Sequence, residues 1–227
     1  MERTIVIGDV HGCATELEDL LGVLKPRPED RILFVGDLVN RGPNTSGVLR
    51  LARSLPGARA VLGNHELRLL EYRRTKDDSR LKPYDRETLS VLTEEDWKYL
   101  HAMEERIELP EHRALVVHAG LLPDRPWRTQ PLRVISRIQV VDAHGEAWKR
   151  SECKDGTFWA DLWEGPPFVV YGHTPTRFPR HSRWAVGIDT GVAYGGELTA
   201  FVFPGRKLVS VPARRAYVKK NGWSGGS

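Results

Sequence analysis

Thr4-Ile5-Val6-Ile7-Gly8-Asp9-Val10-His11-Gly12 is a short apolar run that ends in a Gly-Asp pair and a histidine. A run rich in Val and Ile, without clean alternation, fits a strand covered on both faces. The same order of residues recurs four times. Residues 31–35 lead into Gly36-Asp37-Leu38-Val39-Asn40-Arg41-Gly42-Pro43, and 59–62 into Gly63-Asn64-His65-Glu66. Residues 114–117 lead into His118-Ala119-Gly120, and Phe168–Tyr171 into Gly172-His173-Thr174-Pro175. A single Gly-Asp after a strand is an ordinary turn. Five apolar runs that each deliver Asp, Asn or His beside a glycine point to one functional rim, because ligands bind at the carboxyl ends of strands in an α/β sheet.

Outward from these blocks, helical spacing appears in Leu17, Leu20, Leu21 and Leu24, and again in Val48, Leu49 and Leu51. Thr93-Glu94-Glu95-Asp96 predicts a third helix start, with a hydroxyl cap and acidic residues at the positive helix end. Further strands are expected at 184–188, 198–203 and 208–211. Strand–helix alternation early and successive strands late predict a layered α/β sandwich, mixed β-sheets flanked by helices. The expected domain spans residues 1–212. Residues 124–157, polar and poorly periodic, read as an inserted cap or loop, and 213–227 as a basic, Gly/Ser-rich flexible tail.

The 227 residues, 40% hydrophobic and 28% charged, suffice for one domain with a core that needs no disulfides. Cys13 and Cys153 have no CxxC spacing, which excludes a zinc ribbon. No apolar run approaches the length of a membrane span and no leader is visible, so a cytoplasmic protein without a membrane or obligate protein partner is expected. The net charge of +4 suits a small anionic substrate without requiring one.

Carboxylates, an amide oxygen and imidazoles, with no thiolate, suit Mn²⁺, Fe²⁺, Co²⁺ or Zn²⁺ rather than Ca²⁺. A carboxylate can bridge two such ions, and two ions ~3.5–4 Å apart can polarise a phosphoryl group and activate water. The five blocks, in this order, resemble the calcineurin-like metallophosphoesterases, in particular their phosphoprotein-phosphatase branch. Gly187-Ile188-Asp189-Thr190-Gly191, with Tyr194-Gly195-Gly196 and Leu198-Thr199, is similar to the bacterial symmetrical diadenosine tetraphosphatases and their small phosphatase relatives.

That resemblance implies two divalent metal ions, with Mn²⁺ the first choice. Asp9 and His11 would hold one, Asp37 would bridge, and Asn64, His118 and His173 would complete the other. It implies in-line attack by a metal-bound hydroxide, with Arg41 clamping phosphoryl oxygens and His65 protonating the leaving oxygen. In protein phosphatases of this branch an Asp precedes the Arg and pairs with the general-acid His; here Asn40 stands in its place. An amide stabilises an imidazolium less than a carboxylate does, and a phosphoanhydride leaving group needs little protonation. Asn40 therefore favours a dinucleoside polyphosphate such as diadenosine tetraphosphate, and the resemblance implies cleavage into two equal diphosphates.

A second phosphate-binding arginine is expected from the family, with Arg137 chosen over Arg133. The cluster Phe158-Trp159-Ala160-Asp161-Leu162-Trp163 has the spacing of core rather than of a base-stacking platform. Asp189 and Thr190 are expected to support the site. Capped RNA 5′ ends are related substrates, and a Ser/Thr or broad-specificity protein phosphatase is the enzymatic alternative. A non-catalytic, metal-bound nucleic-acid scaffold is the alternative of another class. The intact His65 and Arg41, and basic residues scattered rather than striped, count against it.

Overall fold

The structure is a computed structural model and describes residues 2–219. In chain order its elements are β1 (Thr4–Ile7), α1 (Ala14–Leu24), β2 (Arg31–Phe34), α2 (Thr45–Ser54), β3 (Arg59–Ala60), α3 (Asn64–Thr75), α4 (Pro83–Leu89) and α5 (Glu94–Ala102). There follow β4 (Ile107–Leu109), β5 (Ala114–Val116), α6 (Leu132–Ile135), β6 (Val140–Val141), β7 (Ala147–Trp148), β8 (Thr157–Phe158) and α7 (Trp159–Leu162). The last are β9 (Phe168–Tyr171), β10 (Arg180–Ser182), β11 (Ala185–Gly187), β12 (Glu197–Phe203) and β13 (Lys207–Pro212).

Two five-stranded sheets form, in the orders β13-β12-β1-β2-β3 and β10-β11-β9-β5-β4. Each has three parallel strands: β1, β2 and β3 in the first, β11, β9 and β5 in the second. The remaining neighbours pair antiparallel. The period-two alternation of strands divides the side chains between separate cores. Val6, Leu33 and Val35 meet Val116, Phe168, Val170 and Val186 between the sheets. Ile5, Ile7, Ile32 and Phe34 face the opposite way, onto Leu17 and Leu20 of α1 and Val48 and Leu49 of α2. Leu115, Val169 and Tyr171 turn outward to pack with Ile135, Val140 and Trp159. Helices, two mixed sheets and an outer layer make the sandwich that the strand pattern predicts.

Thr93 caps α5 as expected. Its Oγ1 accepts from Asp96 N–H over 3.3 Å, while Asp96 Oδ2 accepts from Thr93 N–H over 2.9 Å. The segment 124–157 is more ordered than a loop. It carries α6 and most of a three-stranded sheet, β7-β6-β8, and contributes Val134, Ile138 and Val141 to the outer core. Buried Gln130 acts as a substitute for backbone, accepting from Leu122 N–H (2.6 Å) and donating to Leu122 O (2.7 Å). Phe158, Trp159 and Trp163 are core residues, as their spacing suggests.

Residues 213–218, assigned to the tail on composition, are not free. Ala213, Tyr217 and Val218 pack on the first core, and Tyr217 N–H and Val218 N–H both donate to Ala193 O. The Gly/Ser-rich residues 220–227 lie outside the described residues. Among those described, no helix is long and apolar enough to cross a membrane.

Where β1 ends, the chain passes close to the segment that follows β11. A Cβ on Gly8 would lie 2.4 Å from Ile188 O and 3.1 Å from Thr199 O, both backbone atoms that cannot swing aside. Gly8→Ala is therefore expected to destabilise by about 1–3 kcal/mol, as overpacking does. For a chain of this size that lowers Tm by about 2–12 °C. Thermal unfolding of the variant measures it, and an unchanged Tm would refute this account of the close approach.

Candidate metal centre

The first sheet brings three of the five blocks to one rim, from the ends of β1, β2 and β3. The second brings two, from β5 and β9. Asp37 is at the centre of what they form. Its Oδ2 lies 3.6 Å from His11 Nε2 and 3.8 Å from His65 Nε2, and its Oδ1 lies 3.5 Å from His118 Nε2. Donor atoms of His11, Asp37 and His65 lie within 4.8 Å of one another, and so do those of Asp37, His118 and His173. One carboxylate thus belongs to two groups, the position expected of a bridge.

Hydrogen bonds settle which nitrogen each imidazole offers. A carbonyl only accepts, so His11 Nδ1 (3.1 Å from Val39 O) and His118 Nδ1 (2.8 Å from Val35 O) carry their protons. Both Nε2 lone pairs then face Asp37. His173 is reversed: its Nε2 donates to Arg137 O over 3.2 Å, which leaves Nδ1 to coordinate. Fixing the free nitrogen in this way is how protein scaffolds orient histidine ligands. Asn64 Oδ1 lies 3.3 Å from His118 Nε2. Asp9 falls in neither group of three, but is buried beside them, each oxygen 3.1 Å from His173 N–H.

His65 lies nearly as close to Asp37 as His11 and His118 do, yet its hydrogen bonding differs. Asn40 Nδ2 lies 2.8 Å from Asp85 Oδ1 and 2.7 Å from His65 Nδ1. A carboxylate needs a donor, so the amide must turn its NH₂ toward both. His65 Nδ1 is therefore an acceptor, and its proton sits on Nε2, facing the centre. Arg68, paired to Asp85 through Nε (2.6 Å) and Nη2 (2.9 Å), sets a further donor 3.4 Å from the same Nδ1. Tyr84 stacks on the ring, 5.3 Å between centroids. With Nδ1 accepting, the neutral imidazole turns an N–H rather than a lone pair toward the centre.

Burial sets the electrostatics. Desolvation, then Asp189 and Asp37, hold the Asp9 carboxyl well above the usual range. Desolvation pushes Asp37 up to about 6. Desolvation leads the causes that lower His11, His65, His118 and His173, with Arg41 among the cations that add to it, so the imidazoles are in their neutral form. Crowded carboxylates and neutral imidazoles converging on one space fit divalent cations, which would relieve the repulsion and take the lone pairs.

Arg41 Nη1 donates to His11 Nε2 over 2.6 Å, which puts its guanidinium against the centre. His11, Asp37, Asn40, Arg41 and His173 all have positive φ, between 47° and 72°. Such strain in non-glycine residues clusters where function requires it. Arg137 reaches the site through its backbone, and its guanidinium feels Arg68, Arg80 and Asp37. It lines a cavity of about 250 Å³ together with Arg125, Arg133, Trp148 and Lys149. Asp189 is buried near Asp9 and accepts from Gly191 N–H (3.1 Å), while Thr190 Oγ1 bonds Thr199 Oγ1 (2.6 Å).

Glu66 was given no role on sequence, although it closes the Gly63-Asn64-His65-Glu66 block. Its carboxylate accepts from the N–H groups of Asp37 (2.9 Å), Leu38 (2.8 Å), Val39 (3.2 Å) and Gly63 (3.1 Å). Arg68, Tyr84 and Asp85 were missed as well. They lie in no block, and only the fold brings them to His65.

The pattern of the calcineurin-like phosphoesterase family matches residues 2–200. The chain is a calcineurin-like phosphoesterase. An asymmetrical bis(5′-nucleosyl)-tetraphosphatase, PrpE, of Halalkalibacterium halodurans is 34% identical to it, over 95% of this phosphoesterase and 96% of the relative. The PrpE of Oceanobacillus iheyensis, with the same name, is 30% identical over 94% and 93%. A crystal structure attributed to a diadenosine tetraphosphatase superposes with a TM-score of 0.83 at 35% identity, covering 97% of this chain and 95% of that one. A yeast protein serine/threonine phosphatase shares the fold at 14% identity, with a TM-score of 0.61 over 97% and 82%. Enzymes of this family work with a dimetal centre.

Two outcomes are expected of the calcineurin-like centre. Glu66→Gln replaces an acceptor with an amide that faces backbone N–H groups, and should cost about 1–3 kcal/mol of stability. It should also lower bound metal, measured by elemental analysis, although Glu66 is no ligand; full loading at wild-type Tm would refute the role given to Glu66. Secondly, Asp9 and Asp37 must lose protons to coordinate, whereas the histidines are already neutral. The apparent Mn²⁺ affinity of chelator-stripped protein should therefore rise with pH through about 6, with proton release on binding. Calorimetric titrations at pH 5.5 and 7.5, as nominal settings on either side of about 6, test this, and equal affinities would contradict it.

Proposed function

We propose that this phosphoesterase hydrolyses dinucleoside polyphosphates and cuts a tetraphosphate unequally, into nucleoside mono- and triphosphate. What carries the reaction class is the convergence, on one rim, of a bridging carboxylate, three imidazole lone pairs, Arg41 and the His65 Nε2–H. The substrate class draws support from the tetraphosphatase relatives that span nearly the whole chain. Their names specify asymmetrical cleavage, so the equal products implied by likeness to the symmetrical hydrolases give way to unequal ones.

In this reading Asp9, His11, Asp37, Asn64, His118 and His173 hold the two ions. When bound, these supply positive charge to the phosphoryl oxygens and acidify water. Arg41, whose fork matches phosphoryl geometry, turns from His11 to the substrate. Arg137, whose backbone oxygen accepts from His173, offers a second guanidinium. His65 presents Nε2–H to the leaving oxygen, and Asn40, supported by Asp85 and Arg68, keeps the proton on that nitrogen. A neutral imidazole is a weak acid, which suffices for a phosphate leaving group and falls short for a serine alkoxide. Asn40 thus favours anhydrides, through a donor that acts on Nδ1.

The test is purified protein with Mn²⁺, given diadenosine tetraphosphate or a phosphoserine peptide. The expected products are mono- and triphosphate in equal amounts, with the larger kcat/KM on the dinucleotide. Two diphosphates alone would reject the unequal cut, and a preference for the peptide would reject the substrate class. His65→Ala should lower kcat by about 10²-fold or more while metal content holds, whereas Asp37→Ala should lose both.

A further inference from the structure

Beyond Tyr84, which stacks on His65, the surface opens into a cavity of about 630 Å³, well within the roughly 300–1,000 Å³ of small-molecule sites. Three stretches of chain wall it. Arg41 comes from the loop after β2, Tyr84 and Glu87 from α4, and Arg215 and Tyr217 from the segment after β13. The last stretch is tied down at both ends. Buried Glu16 of α1 accepts from Arg214 N–H (2.9 Å) and from the Tyr217 hydroxyl (2.7 Å), and Ala213 N–H donates to Gly196 O (2.8 Å). Arg215, between these anchors, is exposed and makes no ion pair with a described residue. Its guanidinium lies 5.4 Å from the Tyr217 ring.

We propose that this cavity is the subsite for the leaving nucleotide, a nucleoside triphosphate whose inner phosphate meets Arg41 and whose outer phosphates meet Arg215. The assignment rests on the substrate reading above and on His65 as donor to the leaving oxygen. In an in-line displacement the leaving group departs on the side of that donor. Tyr84, stacked on the His65 ring, and Arg41, which reaches His11 at the centre, are both walls of the cavity, so the cavity adjoins the donor. Two arginines brought to one cavity by separate stretches of chain suit a chain of phosphates better than a single phosphate ester. Tyr84 and Tyr217 supply aromatic surface for the base. In the step served, the water oxygen bonds to the α-phosphorus and the bridging P–O bond breaks. The triphosphate keeps the electron pair and a hydrogen bond from His65 Nε2–H, and the proton lost by water passes to solvent.

Arg215→Ala and Arg215→Glu test this in the full-length, Mn²⁺-loaded protein, with p-nitrophenyl phosphate as the reporter of the centre. ATP and inorganic phosphate are titrated as inhibitors. The Ki for ATP should rise about tenfold in the alanine variant, on the scale of one charge-assisted hydrogen bond, and further in the glutamate variant. The Ki for inorganic phosphate, which ends at Arg41, should move less than about threefold on the same reasoning. In parallel, the ratio of kcat/KM for diadenosine tetraphosphate to that for p-nitrophenyl phosphate should fall about tenfold. Equal shifts for ATP and phosphate, or none for ATP, would overturn the subsite. If the wild-type protein does not hydrolyse the dinucleotide, the substrate reading fails, and the two inhibitors still decide whether the cavity takes a nucleoside triphosphate.

Discussion

The site depends on one carboxylate that touches no substrate. Glu66 enters α3 from the first sheet's third loop and gathers N–H groups from the second, at Asp37, Leu38 and Val39. Isolated, a charge buried this deeply would be severely destabilising. Four backbone donors offset that burial and draw the two loops together. The contact holds Asp37 in its left-handed backbone conformation, and from Asp37 the positions of His11, His65 and His118 follow. Burial, together with repulsion from Asp37, pushes the Glu66 carboxyl up to about 7, so the loop's order and the charge at its centre are coupled.

Much of this was legible in the sequence, and the limits have physical reasons. The parallel strands could be read because burial on both faces makes them uniformly apolar, and each ends in a short block of ligand types. The three helices with an apolar stripe or a cap signal were equally visible. The helix α3 was not, because its buried face is His65, Glu66 and Leu69: a helix that buries polar groups carries no apolar stripe to detect. Of the strands of two or three residues, β4, β6, β7, β8 and β10 lead into no ligand block and are too short for a period to show. The tyrosine and the Arg68–Asp85 pair around His65 are contacts between segments, absent from any local pattern. The segment 213–218 looked like tail because its anchors, backbone bonds, a bond from Tyr217 to the distant Glu16 and core contacts of three residues, leave no local pattern.

Asn40 shows how a single substitution in a motif is read differently once its neighbours are known. From sequence it is an amide in place of a carboxylate, a weaker partner for an imidazolium. In the structure Asp85 supplies the missing charge one bond further out, and fixes which end of the amide faces His65. The result is a defined tautomer. The three-membered chain Asp85, Asn40 and His65 also explains why α4, remote in sequence from every motif, packs against the active rim.

Glu16 and the residues it holds, Arg214 and Tyr217, are separated by about two hundred positions along the chain. Contacts of such span form slowly, since the entropy of closing the intervening loop is lost before anything is gained. During synthesis the first three ligand-bearing strands emerge early, while the wall that completes the neighbouring cavity follows only after all six candidate ligands. A chain cut before residue 213 would retain all six candidate metal ligands yet lack one side of that cavity. If the cavity takes the leaving nucleotide, chemistry at phosphorus and recognition of what is attached to it are thus separated in time as the protein is made.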